Sequence, residues 1–523
     1  MKKYILGITA IFLFSTCSDD FLDVAPKDKL SDATFWKTEE DAHLALAGCY
    51  NLFEWYFSIL YFDAAADNAY DQHFSWKKLQ NGSFLPTDQL NVVQTSDYGN
   101  TKVRRYNNFL VNIENVDIDE PTRELYKAEV RFLRAYQYFL KTQSFGDVPL
   151  ITELVPSNVN FPRAPVEEVQ AFILDELEEI SNILPVINNA ESGGRITSGA
   201  ALALKARLEL YMGRYEDAMT DAQKVIDMNY ELHPDYRSLF LPENSNTNKE
   251  AIFSLNHANG FITGIFIPQM IQPWSWGGFS SLSATKSLND AYETTLGKTI
   301  DDPTSGYVPE KPWENRDARL SATFVHPGQM FGGRIHNSLD RTLPDGSQNP
   351  DYHSDGNGPR GGANLMKYVI PIPISEMQSN GVNVMIIRLA EMYLTYAEAA
   401  VELNRNLAIA TPLVNELRAR GNLPPVSQNE LTRDLIRRER RVELAMEGLR
   451  YWDIKRWDIG STALNGPIFG DPDGTVNMTT GEVTYNGTYI RLGDMVFNPD
   501  RNYLLPIPQS EIDVTGVPQN EGY

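Results

Sequence analysis

Apolar residues recurring at intervals of three and four govern much of this chain of 523 residues and commit it to a fold built on helices. Over 123–145, Leu125, Val130, Leu133, Tyr136 and Leu140 fall along one helical side, and 41–53 reads the same way. Pro165 opens a third helix, where its missing N–H costs nothing, with Val166, Val169, Phe172, Ile173, Leu177 and Ile180 as the buried stripe. Thr197 is a suitable N-cap for a fourth running to Tyr211. Gly213 breaks it, and a fifth spans 215–228. Gly213, Tyr215, Ala218, Ala222 and Val225 fall on the small and apolar positions of a tetratricopeptide turn and second helix, although Glu209 stands where that repeat carries Tyr. A second, Ala-rich pair is expected over 386–403 and 407–420. The fold class expected is therefore all-α dominated, with tetratricopeptide-like helix pairs as a scaffold. Such pairs bury their faces by stacking on neighbours and leave no pocket of their own.

Between 255 and 385 the texture changes. Gly, Pro, Asn, Asp and Ser dominate, and helical spacing survives only near 287–295. The stretch 460–499 reads the same way. Long irregular segments are uncommon in compact proteins, so these are either variable loops or the place where a ligand is met.

The N-terminus predicts the compartment. Met1-Lys2-Lys3 is followed by an apolar run from Tyr4 to Phe14, interrupted at Gly7 and Thr9. A hydrophobic stretch of about 7–15 residues suits a signal peptide, whereas a spanning helix needs roughly 20. Ser15-Thr16-Cys17 then resembles a bacterial lipobox, with Phe14 and Thr16 where Leu and Gly or Ala are favoured. Cys17 is expected to be acylated and to become the mature N-terminus. The other cysteine, Cys49, reads as a small buried hydrophobe.

The formal net charge is -23. Such a surface repels phosphate backbones and disfavours nucleic acid. It also disfavours polyanionic ligands unless a local basic cleft exists, so neutral ligands fit best.

Motifs of catalysis find little support. Gly356 to Gly361 spells GxGxxG, but no strand precedes it and Pro359 lies inside. No HExxH or GxSxG occurs, and no short-spaced His pair suggests a metal. Asp471-Pro472-Asp473-Gly474 reads as a turn rather than a calcium loop. No cofactor is expected. Arg437-Arg438-Glu439-Arg440-Arg441-Val442-Glu443-Leu444 could be a basic patch, but its alternating signs at helical spacing predict an ion-paired helix lying on the core. Tyr451, Trp452 and Trp457, just beyond, read as core.

Residues 436–457, IRRERRVELAMEGLRYWDIKRW, resemble the C-terminal signature of the SusD/RagB-like proteins. Other stretches agree in order: 131–136 with Phe145-Gly146-Asp147-Val148-Pro149, then AALALKAR at 200–207, Asn315 to Leu320, Arg388 to Leu394, Leu505 to Pro508, and Gln519 to Tyr523. Ala318 departs from the Pro common there. The resemblance covers essentially the whole chain after Cys17. It implies a signal peptide at 1–16 and one SusD-like domain at 17–523, with helix pairs mainly within 41–230 and 386–457. Long irregular loops carrying short strands, at about 255–385, would bind the ligand. It further implies a non-catalytic lipoprotein facing the medium, its export signal resembling Ser18-Asp19-Asp20. Its partner would be a SusC-like TonB-dependent barrel, and its cargo an oligo- or polysaccharide or, alternatively, an oligopeptide.

Neutral sugars are gripped by aromatic faces and by planar polar groups reading hydroxyls. The loop Gln272 to Phe279 offers Trp274, Trp276 and Phe279; the stretch Asp67 to Trp76 offers Asn68, Tyr70 and Trp76. Tyr98 and Arg104 are weaker additions. Arg334, His336, Arg341, Asp345 and Asn349 could rim the site or face the barrel. Trp36, Trp55 and Trp313 read as structural. A surface glycoside hydrolase, suggested only by abundant carboxylates, and a purely structural partner of the barrel are the remaining alternatives.

Overall fold

The computed structural model describes residues 35–53, 59–73, 76–88, 98–156, 161–186, 194–244, 247–257, 267–356, 358–377 and 380–523. Cys17, the segment before it, Ser18-Asp19-Asp20, Trp55 and Asn357 lie outside them.

Helices α1 (Glu39–Tyr50), α2 (Thr101–Asn112), α3 (Glu120–Phe145), α4 (Val166–Ser181), α5 (Ser198–Tyr211) and α6 (Tyr215–Ile226) form the first part of the scaffold. Their ends follow the local chemistry. Asp119 accepts the Thr122 N–H at 3.0 Å to open α3, and Gly146, at φ +72°, closes it. Thr197 accepts the Ala200 N–H at 3.2 Å to open α5. From α2 to α6 each helix packs on the next. The stack then continues through α6 onto α7 (Leu389–Leu403), α8 (Leu407–Arg420) and, beside α7, α9 (Arg433–Glu443). The residues between α6 and α7 are thus an excursion from an otherwise continuous solenoid. One apolar cluster runs from Ala42 to Val517 and includes Cys49, 1% exposed, whose thiol burial pushes up to about 12.

The excursion is clamped at its neck by β2 (Ala251–Leu255), antiparallel to β8 (Val384–Arg388). The expected helix over 386–403 therefore begins at Leu389, not at Ile386. Val384 to Ile387 is a short apolar run buried on both faces, a pattern whose spacing does not separate strand from helix. Within the excursion β3 (Leu282–Ala284), β4 (Phe324–Val325) and β7 (Asn364–Leu365) form a sheet with β1 (Ala69–Asp71), which comes from before α2, in the order β1-β3-β7-β4, and β5 (Met330–Phe331) pairs with β6 (Arg334–Ile335).

The stretch 460–499 is a second departure. It forms a long antiparallel ribbon, β9 (Gly466–Val476) with β10 (Val483–Met495), and Asp471 to Gly474 lie in β9 rather than in a turn. Gly470, Pro472 and Gly474 weigh against a strand by propensity, but a two-stranded ribbon with register shifts tolerates them at its edges. Asp471 is fully buried and accepts a bond from Asn289 Nδ2 at 2.7 Å.

Helix α9 is ion-paired and lies on the core, as its charge pattern predicts. Glu439, Arg440 and Glu443 are buried. Glu443 accepts from Arg319 and Arg388 at 2.7 Å each, and from Arg420. Arg388 also reaches Glu250 and Glu447, both at 2.7 Å. After α9 the chain turns at Met446 and Gly448, φ +65° and +76°, before α10 (Arg450–Arg456). A Cβ on Gly448 would meet the Ile59 carbonyl oxygen at 2.4 Å, so only glycine fits there. Tyr451, Trp452 and Trp457 are buried.

Asp67 receives Arg450 at 2.7 Å and Arg441 at 3.1 Å. Burial alone would raise its carboxyl, but the two guanidiniums outweigh burial and hold it at about 2. A depressed carboxylate contributes stability above its unfolded value of about 3.9, lost as pH falls towards 2. The expected contribution is on the order of 2 kcal/mol. Urea midpoints followed from pH 6 down to pH 2.5 should fall less steeply for Asp67→Asn than for the parent. Parallel curves would show that Asp67 is not coupled to folding in this way.

Candidate ligand-binding face

The sheet assembles the face from segments far apart in sequence. Ala69, Tyr70 and Asp71 pair with Ala284, Ser283 and Leu282, and the Gln72 N–H continues the ladder to the Ser281 carbonyl at 3.2 Å. This register lays Gln72 and His73 beside Phe279. Gln72 Nε2 donates to the Phe279 carbonyl at 2.8 Å, His73 Nε2 lies 2.9 Å from the same oxygen, and the His73 ring meets the Phe279 ring edge-on at 6.2 Å.

The Trp274 loop is a single helical turn, Trp274–Trp276, closed by Gly277 in the left-handed region at φ +86°. Gln272, fully buried, holds it by donating to the carbonyls of Trp276 at 3.2 Å and Ile372 at 2.9 Å. The Ser275 N–H donates to Asp351 at 2.9 Å. The result is an exposed aromatic ledge. Trp274, 38% exposed, stacks on Phe279 with centroids 6.0 Å apart and planes at 27°. Trp276 points elsewhere: half-buried, it lies edge-on to Phe331 at 6.1 Å with the Arg334 guanidinium 5.0 Å over its ring.

A Cβ on Gly278 would meet the Gln272 carbonyl oxygen at 2.1 Å, a backbone atom that cannot swing away. Gly278→Ala is expected to displace the ledge and weaken ligand binding about as much as truncating Trp274. Titration of the variant checks this; unchanged affinity would show that the loop absorbs the methyl.

Of the residues singled out in the sequence, Trp274 and Phe279 form the ledge and Trp276 supports it. Tyr70 opens into a neighbouring cleft of about 280 Å³, also lined by Gln72, which joins it to the ledge. Trp76 and Asn68 do not reach solvent. Trp76 is 1% exposed and lies against Phe62 at 4.9 Å; Asn68 bridges Asp63 at 2.6 Å and Arg441 at 2.9 Å. The helical turn Lys77–Gln80 draws Trp76 inward, while Asn68 serves the ion cluster. Tyr98 is buried against Phe145 at 5.1 Å. Arg104 donates to the Val155 carbonyl. Arg334 covers Trp276, but His336 and Asn349 are buried, while Arg341 and Asp345 are exposed. Trp313 stacks on His326 at 4.5 Å, as a structural residue would. Gln72 and His73 were not foreseeable, because their place beside Phe279 comes from strand pairing between segments 207 residues apart.

Comparison with known proteins agrees with this architecture. The chain is similar to the SusD-like protein P38 of Formosa agariphila, 27% identical over 90% of this chain and 95% of the relative. It is also 27% identical to the starch-binding protein SusD of Bacteroides thetaiotaomicron, over 80% of this chain and 76% of that one. A crystal structure of a SusD-like carbohydrate binding protein from Bacteroides fragilis superposes with a TM-score of 0.80 at 27% identity, covering 92% of this chain and 99% of the other. The family described as starch-binding associating with outer membrane matches residues 20–210. The SusD family matches residues 237–523, more than half of the chain. With the helical stack, the strand-built excursion and the C-terminal signature on α9 and α10, these matches show that the chain belongs to the SusD family.

Proposed function

We propose that this protein is a non-catalytic outer-membrane lipoprotein that captures an oligo- or polysaccharide at the cell surface and delivers it to a SusC-like TonB-dependent barrel. Acyl chains on Cys17 provide the anchor, each buried CH₂ contributing about 0.8 kcal/mol. The observation that carries the reading is the Trp274–Phe279 ledge: an exposed Trp274 stacked at 27° on a half-buried Phe279, beside the amide of Gln72 and the imidazole of His73. Stacked rings offer an apolar surface to the C–H face of a sugar, and neighbouring planar polar groups read its hydroxyls. The relatives named for starch and carbohydrate binding support the cargo class.

Calorimetric titration of the lipid-free protein, from residue 18 onward, against plant, host and microbial glycans and a peptide digest tests the reading. Binding of one glycan class with no product released is expected. Heat from the digest alone would transfer the assignment to oligopeptide capture, and turnover of a polysaccharide would overturn the non-catalytic role. Co-purification of the barrel with the full chain tests the partnership.

A further inference from the structure

The cleft beside the ledge has a charge character opposite to the rest of the molecule. Its lining includes Tyr70, Gln72, Lys77, His353, Arg360 and Arg491, and no Asp or Glu. This stands out in a chain of 69 acidic and 46 basic side chains. Most cations elsewhere are consumed: Arg319, Arg388 and Arg420, around α9, sit in ion pairs with carboxylates. Lys77 is exposed and, among the described residues, has no carboxylate within salt-bridge distance. The half-buried Arg360 spends one nitrogen on the Ser354 carbonyl, at 3.1 Å, and has no carboxylate partner among the described residues either. Arg491 pairs with Asp494 at 2.6 Å, but both are more than half exposed, so that pair is weak.

Two buried polar atoms at the same cleft are unpartnered. His353 is 8% exposed; its Nδ1 lies 3.0 Å from Ser354 Oγ, while its Nε2 has no hydrogen-bond partner, Asp473 being 3.8 Å away. Gln72 Oε1 is likewise buried and unbonded. With Nδ1 accepting from Ser354, His353 Nε2 is a buried donor without an acceptor, which costs about 1–3 kcal/mol and which a ligand oxyanion would relieve; Gln72 Oε1 is an acceptor and would take a ligand hydroxyl instead. Gln72 also belongs to the ledge, so one bound chain can lie on Trp274 and place a substituent in the cleft.

We propose that the cleft receives an anionic substituent of the bound saccharide, a carboxylate or a sulfate ester, held by Arg360 and Lys77 with His353 as a hydrogen-bond donor. The inference rests on the glycan-capturing role and names its substrate class. Planar guanidinium recognition of an oxyanion supplies the specificity, and the concave setting concentrates the local field against the repulsion of the acidic surface.

Matched polymers test it with the full chain: polygalacturonate against its fully methyl-esterified form, and dextran sulfate against dextran, by affinity electrophoresis and titration. The acid is expected to bind tighter than its neutral counterpart in at least one pair, and that pair identifies which anion is read. Arg360→Gln should weaken the acidic member roughly tenfold or more, the loss of one charge-assisted bond, and leave neutral glycans unchanged. Lys77→Gln, at an exposed and unpaired position, should weaken it in the same direction without touching the fold. Equal binding of acidic and neutral members, or acid binding that survives both substitutions, overturns the inference. Retained binding of neutral glycans would then leave the capture role standing; silence across every glycan would bring both down.

Discussion

Glu443→Ala should cost this protein about 3–5 kcal/mol of stability, the typical penalty for removing one partner of a buried ion pair. Glu443 is fully buried, and Arg319, Arg388 and Arg420 all point at its two oxygens. Burial favours its neutral form, but the three guanidiniums outweigh burial and hold it far below the ordinary carboxylate range. Removing it leaves three desolvated cations sharing Asp317, Glu439, Glu250 and Glu447. Urea unfolding of the lipid-free protein measures the loss. The control is Glu231→Ala, whose partner Lys249 is as exposed as itself, and whose midpoint should stay where it is. A Glu443→Ala midpoint equal to that of the parent would refute the central role given to this cluster. Replacing the whole cluster by apolar residues is a different experiment, since buried ion groups often add little net stability over a well-packed core.

Trp274→Ala should lower glycan affinity about thirtyfold, close to 2 kcal/mol, and leave the unfolding midpoint nearly unchanged. The ring is exposed on one side and rests on Phe279 on the other, so truncation removes contact surface without opening a core cavity. Trp76→Ala gives the opposite pattern. That ring is 1% exposed, and its loss should cost about 3–5 kcal/mol of stability, as for other buried aromatics. Trp276→Ala falls between, because the ring supports the loop under Arg334. Measuring affinity and stability on all three separates contact from scaffold. Unchanged glycan binding by a folded Trp274→Ala, Trp276→Ala double variant would remove the ledge from the binding site and leave the capture role to another surface.

The helices were legible because each carries its own signals. Thr197 caps α5, Asp119 and Gly146 bound α3, and the stripes at threes and fours point inward. The charge pattern of α9 likewise gave away its buried pairing. What the sequence left hidden depends on partners distant along the chain. Ile386 and Ile387 are strand rather than helix because β2 lies beside them. The ribbon of β9 and β10 contains glycine and proline that local propensity counts against it. The aromatic loop at 272–279 was recognisable as a ligand candidate from its composition. Tyr70 was recognisable too, but nothing local tells a half-buried Tyr70 at a cleft from a fully buried Trp76. Gln72, His73 and Arg360 acquire meaning only when β1 meets β3 and the ledge and cleft are joined.

The antiparallel pair at 251–255 and 384–388 has an evolutionary consequence. It acts as a socket: both ends of the excursion are fixed side by side, whatever lies between them. Lengthening a closed segment is cheap, since each doubling costs only about 0.6 kcal/mol in closure entropy. Insertions and deletions in the loops between 256 and 383 can therefore accumulate while the stack of helices keeps its register, so long as Glu293, Asp317, Arg319 and Lys367 stay to complete the buried charge cluster. Relatives about a quarter identical can thus share one frame while the loops hung between its fixed points are free to change in length.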